Sequence, residues 1–287
     1  MSAPTSARRL PLATPTVIAF RGPDALRYLN GQLTQDVRLV SDGARAVPSC
    51  VTDAKGRLQF RVWLHRSIAG DWLVSSGNAD PDALYARLSR YLIADDAEGF
   101  DVTGQWQMVH VTGDLPDGLE FQAVQSNRIG LPGWDVWLPA TASGDTSLDR
   151  LLALDEWLAA EAETQRVVAG IPAWGAELVE GMLPPEAGLD RTDISYAKGC
   201  YIGQEVISRI KSAGKVNRRL VRLRADAGAA VKAGDRLMDA EGQEAGEVTS
   251  VAPLPVEAAM AALGYLKRRA EGSEFFVPSG AIVRVAD

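Results

Sequence analysis

Thr16–Phe20 (TVIAF) is rich in β-branched side chains, and it predicts a strand. Gly22-Pro23-Asp24 then sets a proline in the first turn of a helix, which Leu26 and Leu29 carry to a stop near Gly31. Leu58–His65 (LQFRVWLH) alternates apolar and polar positions after a turn at Lys55-Gly56 and predicts a second strand. Asp80-Pro81-Asp82 opens a helix with Leu84, Leu88, Tyr91 and Leu92 at three-to-four spacing. Short strands between glycine and proline turns are expected over 100–140. A helical stretch over 147–168 is expected to turn Leu148, Leu151, Leu152, Trp157 and Leu158 inward. QEVISRIKSAG puts Val206, Ile207 and Ile210 on one helix face, with Gly203 as N-cap and Gly214 as stop. After Lys215 the pattern becomes short alternating segments (LVRL, GEVTSV, AIVRV) between glycine-rich turns, which predicts a small closed β domain of about 70 residues. The fold class that follows is α+β: a mixed domain over 1–214 and a β-barrel domain over 215–287.

The totals narrow the function classes. A chain of 287 residues buries enough surface to need neither disulfides nor a structural metal. No apolar run approaches the roughly 18 residues that a membrane helix requires, so no membrane association is expected. With Cys50, Cys200, His65 and His110 as the whole stock of cysteine and histidine, no spacing resembles a closed zinc or iron–sulfur site, and no tightly bound metal is expected. Two cysteines fit reduced thiols in the cytoplasm. The first 23 residues lack acids and carry Arg8 and Arg9, and they read as a frayed cytoplasmic N-terminus. The net charge of −7 argues against a surface coated for nucleic acid. Against that trend, Arg209–Arg224 (RIKSAGKVNRRLVRLR) holds seven basic residues and no acid, either a solvated face or a landing strip for a polyanion.

KGCYIGQE, Lys198 to Glu205, concentrates the candidate chemistry. Cys200 stands about one turn before the predicted helix, where free N–H groups and Lys198 favour a thiolate and Glu205 opposes it. The plain alternative is a small filler in a turn. The eight residues resemble the signature of the YgfZ-type folate-binding proteins, relatives of the aminomethyltransferase (T-protein) of glycine cleavage. The resemblance extends over nearly the whole chain: GPDALRYLNGQLTQDV (Gly22–Val37), DAKGRL (Asp53–Leu58), RVVAGIPAWGAEL with LPPEAGL, GKVNRRLV, and GEVTSVAPLP with AALGYL.

That resemblance implies a T-protein-like folate domain ahead of the barrel, and a cytoplasmic, monomeric accessory factor that supports iron–sulfur enzymes, including those that modify tRNA. It implies tetrahydrofolate or a one-carbon derivative as ligand. The implied partners are iron–sulfur client enzymes or assembly proteins, with tRNA involved indirectly. Cys200 and Lys198 become the candidate working residues. Asn30, Gln32, Thr34, Lys55, Arg57, Glu186, Tyr201, Gly203, Gln204, Glu205 and Arg209 become the candidate ligand contacts. Two departures matter. Phe60 and Arg61 fall where the transferase carries its acidic pair, which argues against aminomethyl transfer. Val168, expected to be buried, replaces the glutamate that reads the pterin's donors. A tRNA- or protein-binding module without folate is the alternative, and a one-carbon transferase a further one.

Overall fold

The computed structural model describes residues 6–214, 216–254 and 257–286. The chain forms two compact units, one of residues 1–157 and 190–205, the other of residues 158–189 and 206–287. Each therefore takes two pieces of chain, whereas the sequence suggested a single boundary after residue 214. The strands of the barrel do all lie beyond that boundary.

The first unit contains β1 (Arg8–Arg9), β2 (Thr16–Arg21), α1 (Ala25–Gln32), β3 (Val47–Thr52), β4 (Leu58–Arg66), β5 (Trp72–Ser76), α2 (Pro81–Ser89), β6 (Glu98–Asp101), β7 (Trp106–Thr112), β8 (Gln122–Ser126), β9 (Gly133–Pro139), α3 (Thr146–Leu152) and β10 (Asp155–Glu156). Among the described residues these strands make two five-stranded sheets, ordered β3-β4-β5-β2-β6 and β10-β1-β7-β9-β8. β2 shows why its sequence is apolar without alternation from Val17 to Phe20. Val17 and Ala19 pack with Val124 and Trp137 of the other sheet, while Ile18 and Phe20 pack with Leu29 of α1 and Leu84 and Leu88 of α2. A central strand covered on both faces has no polar side to alternate with. The far face of the second sheet is closed by Leu151 of α3 against Val109, Val111, Val136 and Leu138.

Several expectations need correction. The helix expected over 147–168 is broken in two, because Asp155–Glu156 pairs in parallel with Arg8–Arg9. Leu158 is 66% exposed and Leu152 40%, so neither faces inward. The same pairing, with β7 on the other side, holds Arg8 and Arg9 inside a sheet, where a frayed terminus was expected; residues 1–5 lie outside the described residues. Tyr91 falls beyond α2 and is exposed.

The second unit holds α4 (Ala159–Ala169), most of α5 (Gln204–Ala213), β11 (Arg218–Asp226), β12 (Arg236–Met238), β13 (Glu244–Leu254), β14 (Ala259–Lys267), β15 (Glu274–Phe276) and β16 (Ile282–Ala286). The described strands close a barrel in the order β11-β14-β13-β12-β15-β16, around Leu223, Leu237, Val248, Phe275 and Val283. A Cβ at Gly246 would lie 2.0 Å from the Tyr265 carbonyl oxygen, so only glycine permits that β13–β14 approach. α4 lays Val167 on Ala252, Ala261 and Leu263 outside the barrel. Beside it Glu177 is fully buried and fully engaged. Its Oε2 accepts from Arg166 Nη1 (2.9 Å) and the Ala173 N–H (3.0 Å), and its Oε1 from Thr249 (2.7 Å) and Ser250 (2.6 Å). No described helix is long and apolar enough to cross a membrane.

Candidate functional site

Three sequence blocks far apart in the chain meet in the first unit. Segment 192–203 runs beside the end of α1 and the turn after β3, held by backbone groups throughout. The Ile202 N–H donates to the Gly31 carbonyl (3.1 Å) and the Ser195 N–H to that of Thr34 (3.0 Å). Gln35 Nε2 donates to the Thr192 carbonyl (2.7 Å), Thr34 Oγ1 to that of Asp193 (2.7 Å) and Thr52 Oγ1 to that of Ile202 (2.6 Å). Lys198 completes the row: its Nζ donates to the carbonyls of Leu33 (2.6 Å) and Gln35 (2.8 Å). Gly203 closes it, with φ +86° and a Cβ position only 2.5 Å from the Asp53 carbonyl oxygen and 2.8 Å from Gly56 Cα. NGQLTQ, DAKG and KGCYIG are thus three parts of one piece of structure.

Within this frame Cys200 is exposed, so the sulfur is accessible to a reactant. Lys198 is buried, and that burial pulls its amine down to about 7, with Asp36 opposing the fall and Arg38 adding to it. The amine lies 5.3 Å from the Tyr201 ring centroid. Tyr201 is itself buried, its hydroxyl without a hydrogen-bond partner, and burial pushes the phenol above its ordinary range. Gln204 and Glu205 begin α5, four and five residues after the thiol, and Glu205 is exposed.

The other candidates are distributed unevenly. Asn30 Oδ1 accepts from the Val37 N–H (3.2 Å) and closes the turn after α1. Thr34 is buried and its Oγ1 also accepts from the Cys50 N–H (2.9 Å). Lys55 and Arg57 are exposed, and their N–H groups share Asp53 Oδ1 (2.8 and 2.9 Å). Glu186 and Arg209 belong to the second unit, where Glu186 accepts from Arg218 Nε (3.1 Å) and Arg209 is exposed on α5. Val168 is 40% exposed, not buried: α4 packs inward through Val167 next to it. The basic strip is interrupted by acids. Arg218 pairs with Glu186 and lies 3.8 Å from Glu247, and Arg224 pairs with Glu257 (2.5 Å); Lys215 lies outside the described residues.

Several buried contacts were not legible in the sequence. Arg61 meets Asp193, Nε to Oδ2 at 2.7 Å and Nη2 to Oδ1 at 3.2 Å, with the carboxylate fully buried. Cys50 lies opposite Arg61 in the β3–β4 pair, fully buried, and that burial pushes its thiol well up. Arg87 hydrogen-bonds Gln32, Gln59 and the Thr52 carbonyl. Its signal was a cation within the apolar stripe of α2, between Leu84 and Leu88; Asp193 had none beyond its nearness to the signature. Ser126, His110 and Asp135 also cluster, yet Ser126 Oγ (3.1 Å) and Asp135 Oδ1 (2.9 Å) both meet the same Nδ1 of His110. That arrangement orients no nucleophile against the far ring nitrogen, as a hydrolytic triad must.

No family model matches the chain. The iron-sulfur cluster assembly factor IBA57 homolog of Phaeosphaeria nodorum is 30% identical over 241 residues, which cover 77% of this chain and 56% of that protein. The chain thus spans little more than half the length of that relative. A glycine cleavage aminomethyltransferase T from Bartonella henselae shares the fold, with TM-score 0.82 at 21% identity over 99% of this chain and 86% of that one. The tRNA-modifying protein YgfZ of Serratia proteamaculans is 30% identical over 256 residues, covering 78% of this chain and 74% of that protein. With that extent of likeness, and with the signature loop built as described, this chain belongs to the YgfZ family.

Proposed function

We propose that this protein is an accessory factor for iron–sulfur cluster assembly or repair that supports iron–sulfur enzymes, including tRNA-modifying ones, with Cys200 as its working thiol. The observation that carries the reading is the KGCYIGQE loop: one exposed sulfur on a segment pinned to two other blocks of the chain by hydrogen bonds between side chains and backbone carbonyls. A pinned loop presents its thiol in one geometry, which nucleophilic or ligating work requires. The names of the relatives, an iron–sulfur assembly factor and a tRNA-modifying protein, support the same direction.

The proposed ligand is tetrahydrofolate or a one-carbon derivative. The residues of the first unit fit it in one respect: the buried Tyr201 hydroxyl has hydrogen-bonding capacity that no protein group uses. Tyr201 would meet the ligand's polar edge, and the exposed Lys55 and Arg57 its anionic tail. When bound, a folate supplies one-carbon chemistry. Aminomethyl transfer is disfavoured, because Arg61 stands where the transferase places an acid and its guanidinium is already committed to Asp193.

In a strain lacking its own YgfZ-type protein, the unaltered chain is expected to restore iron–sulfur enzyme activity and Cys200→Ser to fail. Full rescue by the serine variant would remove the thiol from the reading. Calorimetry with mono- and triglutamyl tetrahydrofolate is expected to show a Kd of about micromolar order, tighter for the longer tail. No heat with either form would point to the module without folate, which the absence of an acceptor at Val168 favours.

A further inference from the structure

Arg87 is a buried cation of the first unit with no ion-pair partner among the described residues. It lies on α2, 8% exposed, and its guanidinium donates to Gln59 Oε1 through Nε (2.7 Å), to Gln32 Oε1 through Nη1 (3.0 Å) and to the Thr52 carbonyl through Nη2 (2.7 Å). All three acceptors are neutral. No described carboxylate comes within ion-pair distance of it. Asp53 acts from farther off, and its Oδ1 already accepts two backbone N–H groups. The other charged or titratable groups that act on Arg87 are Tyr28, Tyr91 and Arg90, and Arg90 adds a like charge.

The consequence falls on the two glutamines. An arginine can only donate, so each carboxamide must turn its oxygen toward Arg87 and its NH2 group away. Among the described residues neither amide nitrogen has a hydrogen-bond partner, and neither is wholly sealed from solvent, Gln59 being half-buried and Gln32 6% exposed. Beside them Arg87 and the exposed Arg90 flank the Tyr91 ring, their Cζ atoms 5.8 and 5.7 Å from its centroid. The result is a group of N–H donors around an unanswered positive charge.

We propose that Gln32, Gln59 and Arg87 form a binding site for an oxyanion, a carboxylate or a phosphate carried by a ligand. The glutamine amides are the contacts. Arg87 is the positioning residue that fixes their orientation and supplies the net charge. A buried cation with only neutral partners is costly, and an arriving anion relieves that cost. The inference goes beyond the reading of Cys200 and does not depend on folate.

The test is thermal unfolding of the full chain in chloride, inorganic phosphate or glutarate at matched ionic strength, with Gln59→Glu alongside the unaltered protein. Binding at ten times its Kd is expected to raise Tm by about 3–6 °C with one of the two oxyanions and not with chloride. Phosphate alone or glutarate alone identifies the source of the anion. Gln59→Glu builds a carboxylate against Arg87; it is expected to raise Tm by itself and to abolish the response to the added anion. The same Tm in all three salts overturns the proposal, and so does an undiminished response in Gln59→Glu. Because that variant supplies Arg87 with a partner, its folding is not in question, as it would be for Arg87→Met.

Discussion

Gly203 is bound by two conditions at once. Its φ of +86° lies where a side chain is strained, and a Cβ there would press on the Asp53 carbonyl at 2.5 Å and on Gly56. Both neighbours are backbone and have no rotamer through which to yield. Gly203→Ala is therefore expected to cost about 2–4 kcal/mol, read as a lower urea midpoint with an unchanged slope. It should also loosen the segment that carries Cys200, which a faster reaction with a thiol reagent at fixed pH would report. The residues of this site were legible in the sequence as blocks, because KGCYIGQE, NGQLTQDV and DAKGRL each stand out. Their mutual bonds were not, since a donor such as Thr52 finds its acceptor 150 residues away. Arg61 illustrates the limit: the sequence marks it as a missing acid, and only the fold supplies Asp193 to answer its charge.

At the scale of elements, the most committed group is Glu177, which joins Arg166 of α4 to Thr249 and Ser250 of β13. Glu177→Ala strips the carboxylate from a buried guanidinium and two hydroxyls. Arg166 keeps Glu163, so the expected loss is about 3 kcal/mol, measurable as a shift in denaturant midpoint. The strands and the barrel were readable because alternation and turn residues agree there with tertiary burial. The segment 147–168 was not, for a physical reason. Leu151, Leu152, Trp157 and Leu158 mimic an apolar helical stripe, but the pairing of Asp155–Glu156 with Arg8–Arg9 takes the backbone out of helix between them. A two-residue strand set by a partner near the N-terminus leaves no periodic trace of its own.

The molecule as a whole carries a pH dependence in its interior. His65 is fully buried against Trp137, with centroids 4.5 Å apart and neither ring nitrogen hydrogen-bonded, and burial pulls its imidazole down to about 3. An unfolded histidine titrates near 6.5, so between these values the unfolded chain holds more protons. The stability involved is present in full above about pH 6.5 and is lost as pH falls toward 3, by up to about 1.4 kcal/mol per pH unit. Asp135 works in the same direction at lower pH. Burial opposes its charge, but Arg128 and His110 outweigh that and hold the carboxyl well below its usual range. His65→Leu is expected to flatten the decline of Tm between pH 6.5 and 4.5, and an unchanged slope would assign that decline to other groups.

The division of the first unit between residues 1–157 and 190–205 also orders events during synthesis. Both sheets can pair as soon as residue 157 has left the ribosome, but the stretch that carries the sulfur is still unmade. At roughly 5–20 residues per second it follows a few seconds later. When it arrives, it docks onto carbonyls and a glycine turn that the earlier strands have already placed. On that order Cys200 is expected to reach a frame the earlier strands have already formed.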